Sequence, residues 1–232
     1  MLEVSKLSAA YGQVTAIREI DLSIKAGGIL AVIGANGAGK STLLKTIAGQ
    51  LPVKSGTIYF EGENISTLPA YERARRGVVM VPEGRRLFAS LTVHENLQTA
   101  LSSKRKGVWT LDSVYDLFPL VAERKDRRAG NMSGGEQQAT AIARALVANP
   151  RLLLLDEVSL GLAPAIVGEL YAILPKILAQ GTSILLVEQD VSQALKVSDE
   201  VHCLLQGSTS LAGKNFDMAA ISAAYFGSEV KR

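Results

Sequence analysis

One cysteine, Cys203, stands alone among 232 residues, so no disulfide can form within the chain, and nothing in its use speaks against the cytosol. No run approaches the roughly 18 consecutive apolar residues of a membrane-spanning helix. Nothing at the N-terminus resembles a signal peptide. Aromatic residues make up only 5%, and none interleaves with the basic clusters, which argues against nucleic acid as a partner. Internal repeats, low-complexity segments and linkers are absent as well. If the protein works at a membrane, something else must hold it there.

What is present is the balance of a soluble globular domain, 47% hydrophobic and 20% charged. The chain is long enough to bury a sizeable core without covalent staples. We expect one domain over residues 1–232, with a helical sub-domain inserted at about 85–150. Net charge is +3. The basic residues gather in three groups: Arg73, Arg75, Arg76, Arg85 and Arg86; residues 104–106; and Arg124, Lys125, Arg127 and Arg128. Solvated faces are the plain expectation for them. Contact with a partner or with lipid head groups is the sharper one.

Residues 2–7 and 17–24 alternate as strands do, and residues 29–33, 152–155 and 183–187 are short, wholly apolar runs. Such runs mark strands buried on both faces. Shorter strands are expected at 57–60, 78–81 and 201–205. Helical spacing occupies 40–48, 133–148, 164–178 and 190–197, with a last helix near 217–226. From 92 to about 128 the pattern is helical and more polar. Apolar strands separated by helices imply an α/β fold with a parallel sheet covered on both faces.

Three motifs carry chemistry. The first runs from Gly34 through Asn36, Gly37, Ala38 and Gly39 to Lys40 and Ser41, with Thr42 next. It matches G-x-x-x-x-G-K-S/T between a buried strand and a helix, the context of a P-loop. The glycines let backbone N–H groups wrap phosphate oxygens, and the helix directs its positive end at them. Lys40 would bridge the terminal phosphates and Ser41 would ligate Mg²⁺. The second motif is four leucines followed by Asp156 and Glu157. It puts carboxylates at the carboxyl end of a central strand, where open α/β sheets bind ligands. Asp156 is suited to hold the metal and Glu157 to polarise an attacking water. In the third, Ser133, Gly134, Gly135 and Glu136 open a long helix. This is a capping box, a second anion site, or both.

Taken in this order, the three motifs resemble the ATP-binding cassette family, and the stretch at Ser133 resembles its signature. The likeness spans the chain. It implies a P-loop NTPase with a mixed-sheet core, an N-terminal antiparallel β sub-domain and an inserted helical sub-domain. It also implies an ATPase with ATP and Mg²⁺, and an adenine-stacking role for Tyr11. Two cassettes of the family pair head to tail, so Ser133, Gly134 and Gly135 would act on a partner's nucleotide. The partners implied are a second cassette, identical or different, and integral-membrane permease subunits, with an extracytoplasmic solute-binding protein engaged indirectly. The location implied is peripheral, on the cytoplasmic face of the inner membrane.

Finer marks narrow the resemblance. Residues 81–86, 159–164, 187–189 and 224–227 look like the second cassette subunit of bacterial branched-chain amino-acid importers. Cassettes of importers for amides, urea or aromatic acids are similar. Glu83 stands where most cassettes have a metal-contacting glutamine, and Gln189 where most have a switch histidine. Ala163 replaces an aspartate and Val158 a proline. A non-transport cassette ATPase would carry a long coiled-coil insertion or a tandem cassette. A switch GTPase would carry Asn-Lys-x-Asp. The sequence holds none of these.

Overall fold

The first two alternating segments pair with each other. β1 (Leu2–Tyr11) and β2 (Val14–Ile24) run antiparallel, and pairing continues to the Tyr11–Val14 pair at the turn. Both strands therefore extend beyond the residues their alternation marks. β3 (Ile29–Ile33) is buried at every position and leads through the glycine loop into α1 (Lys40–Ile47). β4 (Ser55–Phe60) pairs with β1, and the short β5 (Glu63–Asn64) with β4. These strands make one antiparallel sheet, ordered β2-β1-β4-β5.

After α2 (Ala70–Arg76) and β6 (Val78–Val81), the next strand among the described residues is β7 (Leu152–Asp156). The chain between them forms α3 (Val93–Gln98), α4 (Leu111–Leu117), α5 (Pro119–Glu123) and α6 (Gly134–Val147). The remainder alternates: α7 (Pro164–Ala179), β8 (Ser183–Glu188), α8 (Val191–Val197), β9 (Glu200–Leu205), β10 (Ser208–Gly213) and α9 (Met218–Phe226). This computed structural model describes residues 1–214, 216 and 218–226. Position 217, expected to begin the last helix, and position 227 of the terminal motif lie outside them.

The second sheet is ordered β10-β9-β3-β8-β7-β6. Five of its strands are parallel, and β10 returns antiparallel at the edge. The sheet is therefore mixed, not purely parallel. A two-residue turn at Gln206 and Gly207, both with positive φ, can join only antiparallel strands. Small, exposed residues in β10 hid it from a reading based on apolar runs. Register sets the rest. Ile33 faces Glu188, Val187 faces Asp156, and Leu155 faces Val81. The carboxyl ends of β3, β8, β7 and β6 thus finish at one level.

Two apolar clusters hold this frame. One packs the antiparallel sheet and α1 against Leu152, Leu154, Leu185 and Val187. The other joins α3 to α7 with the opposite face of the same strands, at Leu153, Leu155, Ile184 and Leu186. Val158 is buried in that second cluster at 2% exposure, so an apolar packing contact stands where most cassettes have proline. Arg73 corrects the expectation of a solvated basic face. It is 1% exposed. Its guanidinium donates to the carbonyls of Ser66, Leu68, Thr46 and Ile47. The last two belong to the final turn of α1, where a cation complements the negative helix end. Burial lowers the Arg73 pKa to about 10.

Candidate functional site

The strand ends open onto a cleft of about 790 Å³. The loop from β3 to α1 forms its floor, through Asn36, Gly37, Gly39, Lys40, Ser41 and Thr42. Gly39 shows why the loop needs glycine. Its φ is 102°, and a Cβ there would lie 2.7 Å from Ile17 Cγ2. Gly34 and Ala38 complete the loop. Gly207, in the turn after β9, stitches it to the antiparallel sheet. The Gly207 N–H donates to the Ala38 carbonyl at 3.0 Å, and the Gly207 carbonyl accepts from Arg18 N–H at 2.7 Å.

Lys40 is 4% exposed. Its Nζ donates to the carbonyls of Gly34 at 2.8 Å and Ala35 at 3.2 Å, and pairs with Glu157 Oε1 at 3.1 Å. Ser41 Oγ donates to Asp156 Oδ1 at 2.9 Å. Burial raises the Asp156 pKa, and the hydrogen bond from Ser41 opposes that rise. Glu157 sits one residue beyond β7 with a φ of 48°. This left-handed conformation is uncommon for a residue with a side chain. Its N–H is fixed by the Val187 carbonyl at 3.0 Å.

Glu83 and Gln189 line the same cleft, from the segments after β6 and β8. The loop that carries Glu83 is tied to α6. Arg144 donates to the carbonyls of Arg85 and Arg86, and Arg85 donates to Gln137 Oε1 at 3.3 Å. Arg85 and Arg86 both have positive φ, so this loop is tightly specified.

Two groups of expected residues lie apart. Tyr11 is 48% exposed, at the tip of the β1–β2 hairpin. It does not line the cleft, although its strand partner Val14 does. Ser133, Gly134, Gly135 and Glu136 do not line it either. They open α6, where Ser133 Oγ accepts from Glu136 N–H and the Glu136 carboxylate accepts from Ser133 N–H. Glu136 also pairs with Arg124 at 2.9 Å. The Arg124 guanidinium and the Ser133 N–H hold its pKa down to about 2. Arg124 is thus engaged by α6 rather than free.

Arg18, Thr15 and Gln206 also line the cleft. No local motif marks them, because they reach it through the packing of β2 and the turn after β9. The oxygen donors near the loop suit Mg²⁺, which is ordinarily held by one or two carboxylates together with substrate phosphates and water. Ser41 and the buried Asp156 carboxylate form such a set, and a cation there would offset the cost of burying that charge.

The family model described as ABC transporter matches residues 17–159. The chain is 46% identical to the high-affinity branched-chain amino acid transport ATP-binding protein BraG of Pseudomonas aeruginosa, over 89% of this chain and 90% of that protein. It is 38% identical to the probable branched-chain amino acid transport ATP-binding protein LivF of Archaeoglobus fulgidus, over 92% of each. Among solved structures it is similar to MJ1267 in its ADP conformation, an ATP-binding cassette of an ABC transporter. The TM-score is 0.84 at 25% identity, covering 98% of both chains.

Proposed function

Because this chain belongs to the ABC transporter family, we infer that it is the ATP-binding, ATP-hydrolysing subunit of an importer for branched-chain amino acids. One observation carries the catalytic part of the reading. The register of the parallel strands brings Lys40, Ser41, Asp156, Glu157, Glu83 and Gln189 to a single sheet edge. The likeness to BraG and LivF supports the choice of solute class.

In this reading the loop from Gly34 to Gly39 receives the phosphates with its backbone N–H groups. Lys40 exchanges its present partners for phosphate oxygens. Ser41 and Asp156, with Glu83 alongside, would hold Mg²⁺, which would supply charge neutralisation for the phosphoryl group. Glu157, released from Lys40 by that exchange, orients and deprotonates the attacking water. Gln189 donates its amide N–H₂ toward the γ-phosphate. Tyr11 stacks on the adenine once the hairpin tip closes over it. Ser133, Gly134 and Gly135 serve a partner chain's nucleotide. Their absence from the lining of this cleft supports that assignment.

No helix among the described residues is long and apolar enough to cross a membrane. In this reading the chain meets the membrane through permease subunits, on the cytoplasmic face, which the likeness to transporter ATP-binding proteins supports. Recovery of the full chain from membranes, with mass spectrometry of what accompanies it, tests the assembly. A permease and a paired cassette are expected, and vesicles carrying that complex should take up labelled leucine, isoleucine or valine with ATP inside. Recovery with ribosomes or nucleic acid, or uptake of amides but not of these amino acids, contradicts the reading.

A further inference from the structure

Glu188 is the last residue of β8 and precedes Gln189. It is 1% exposed, and no role in the reading above uses it. Its carboxylate holds one residue at two points. Ser159 Oγ donates to Glu188 Oε2 at 2.6 Å, and Ser159 N–H donates to Glu188 Oε1 at 3.3 Å. The shorter contact lies in the range of a charge-assisted O–H to carboxylate bond. Ser159 belongs to the loop that begins at Glu157, and Glu157 N–H is itself bonded to the Val187 carbonyl. Three hydrogen bonds therefore clamp the Glu157 loop onto the end of β8. On its other side Glu188 faces Ile33 of β3, one residue before the phosphate loop starts.

This arrangement is costly for a structural tie. Burial raises the Glu188 pKa against the lowering effect of Ser159. The Tyr171 hydroxyl lies buried beside both residues. Burying a carboxylate to hold a surface loop brings little net stability. The position of the loop explains the expense, because Glu157 and Leu160 both face the cleft from it and Gln189, the residue just after β8, faces the cleft as well.

We propose that Glu188 is a positioning residue for hydrolysis, which by gripping Ser159 holds Glu157 and Gln189 at one fixed spacing across the cleft. The proposal rests on the roles given to those two residues in the proposed function.

The test uses the full chain in the complex it forms, as wild type, Ser159→Ala, Glu188→Ala, Glu188→Gln and the double alanine variant, with Glu157→Gln as control. Loss of a hydrogen bond to a charged group should lower kcat about tenfold in each single alanine variant, with KM for ATP within about twofold. The double variant should be no slower than the slower single one. Glu188→Gln still accepts from Ser159 through its amide oxygen and should recover to within about threefold of wild type. Amide hydrogen exchange across 157–162 should quicken in both alanine variants and stay near wild type in Glu188→Gln. Unchanged exchange or unchanged kcat in the alanine variants overturns the proposal. So does a loss of ATP affinity that matches the loss of kcat. If Glu157→Gln turns over normally, the reading of the cleft has failed instead.

Discussion

Lys40 is already fully engaged in this structure, by two carbonyls and by Glu157 at 3.1 Å. A nucleotide must replace those partners with phosphate oxygens. Lys40→Ala removes the point charge and leaves Glu157 facing the phosphates without its cation. We expect ATP affinity to fall at least a hundredfold, since hydrogen bonds to charged groups contribute about 1.5–3 kcal/mol each. Titration with a fluorescent ATP analogue measures it, and unchanged affinity would remove Lys40 from the role. Gln189 gives a second test at this scale. It cannot titrate, and as a neutral donor it is roughly half as strong as a charged one. Gln189→Ala should therefore lower the ATPase rate of the assembled complex. Gln189→His should keep or raise that rate and add a pH dependence near the ordinary histidine value of about 6.5. Identical pH profiles and rates for all three forms would mean that Gln189 has no contact with the phosphate. That the motifs at Lys40 and at Asp156 and Glu157 mark the candidate site was legible because each motif is local in sequence. Arg18 and Gln206 were not, because only tertiary packing brings them to the cleft. Arg73 misled for a related reason: a run of arginines looks solvated, and only the end of α1 shows what one of them caps.

α6 begins with a capping box that the spacing of Ser133 and Glu136 announces, and the structure contains it. Its electrostatics were not legible, because Arg124 comes from the segment after α5. The Glu136 pKa is depressed in the folded chain, to about 2 from an ordinary 4.5. Its contribution to stability is thus fully present above about 4.5 and lost as pH falls toward 2. Glu136→Gln should flatten the melting temperature against pH across that window, while the wild type loses stability on the same descent. Parallel curves from thermal melts at several pH values would show that the pair contributes nothing. Other elements obeyed their local signals unevenly. The wholly apolar runs became β3, β7 and β8 as expected, since burial on both faces leaves little choice. β5 and β10 escaped notice, being short and largely exposed, and held in place by the strands beside them.

At the scale of the molecule, the helix starts of α1 and α6 open onto different surfaces. The one at α1 opens into the chain's own cleft, and the one at α6 does not. A site completed by another cassette's Ser133 predicts a separation of binding from turnover. Ser133→Arg should leave ATP affinity of the isolated chain within about twofold, yet reduce hydrolysis in the assembled complex at least tenfold, because a bulky cation blocks the approach of the partner nucleotide. Equal losses in both assays would place Ser133 in its own chain's site. The fold that separates these two starts was legible in outline, as an α/β frame interrupted by helices. Its separate antiparallel sheet, β2-β1-β4-β5, was implied by family resemblance and not by the pattern of apolar runs. The most direct measurement of the whole account is single-turnover release of phosphate from γ-labelled ATP by the membrane complex, wild type against Glu157→Gln, at equal ATP bound. Both should bind ATP, and phosphate release from the variant should be slower by roughly a hundredfold or more. Phosphate released by Glu157→Gln at the wild-type rate would contradict it.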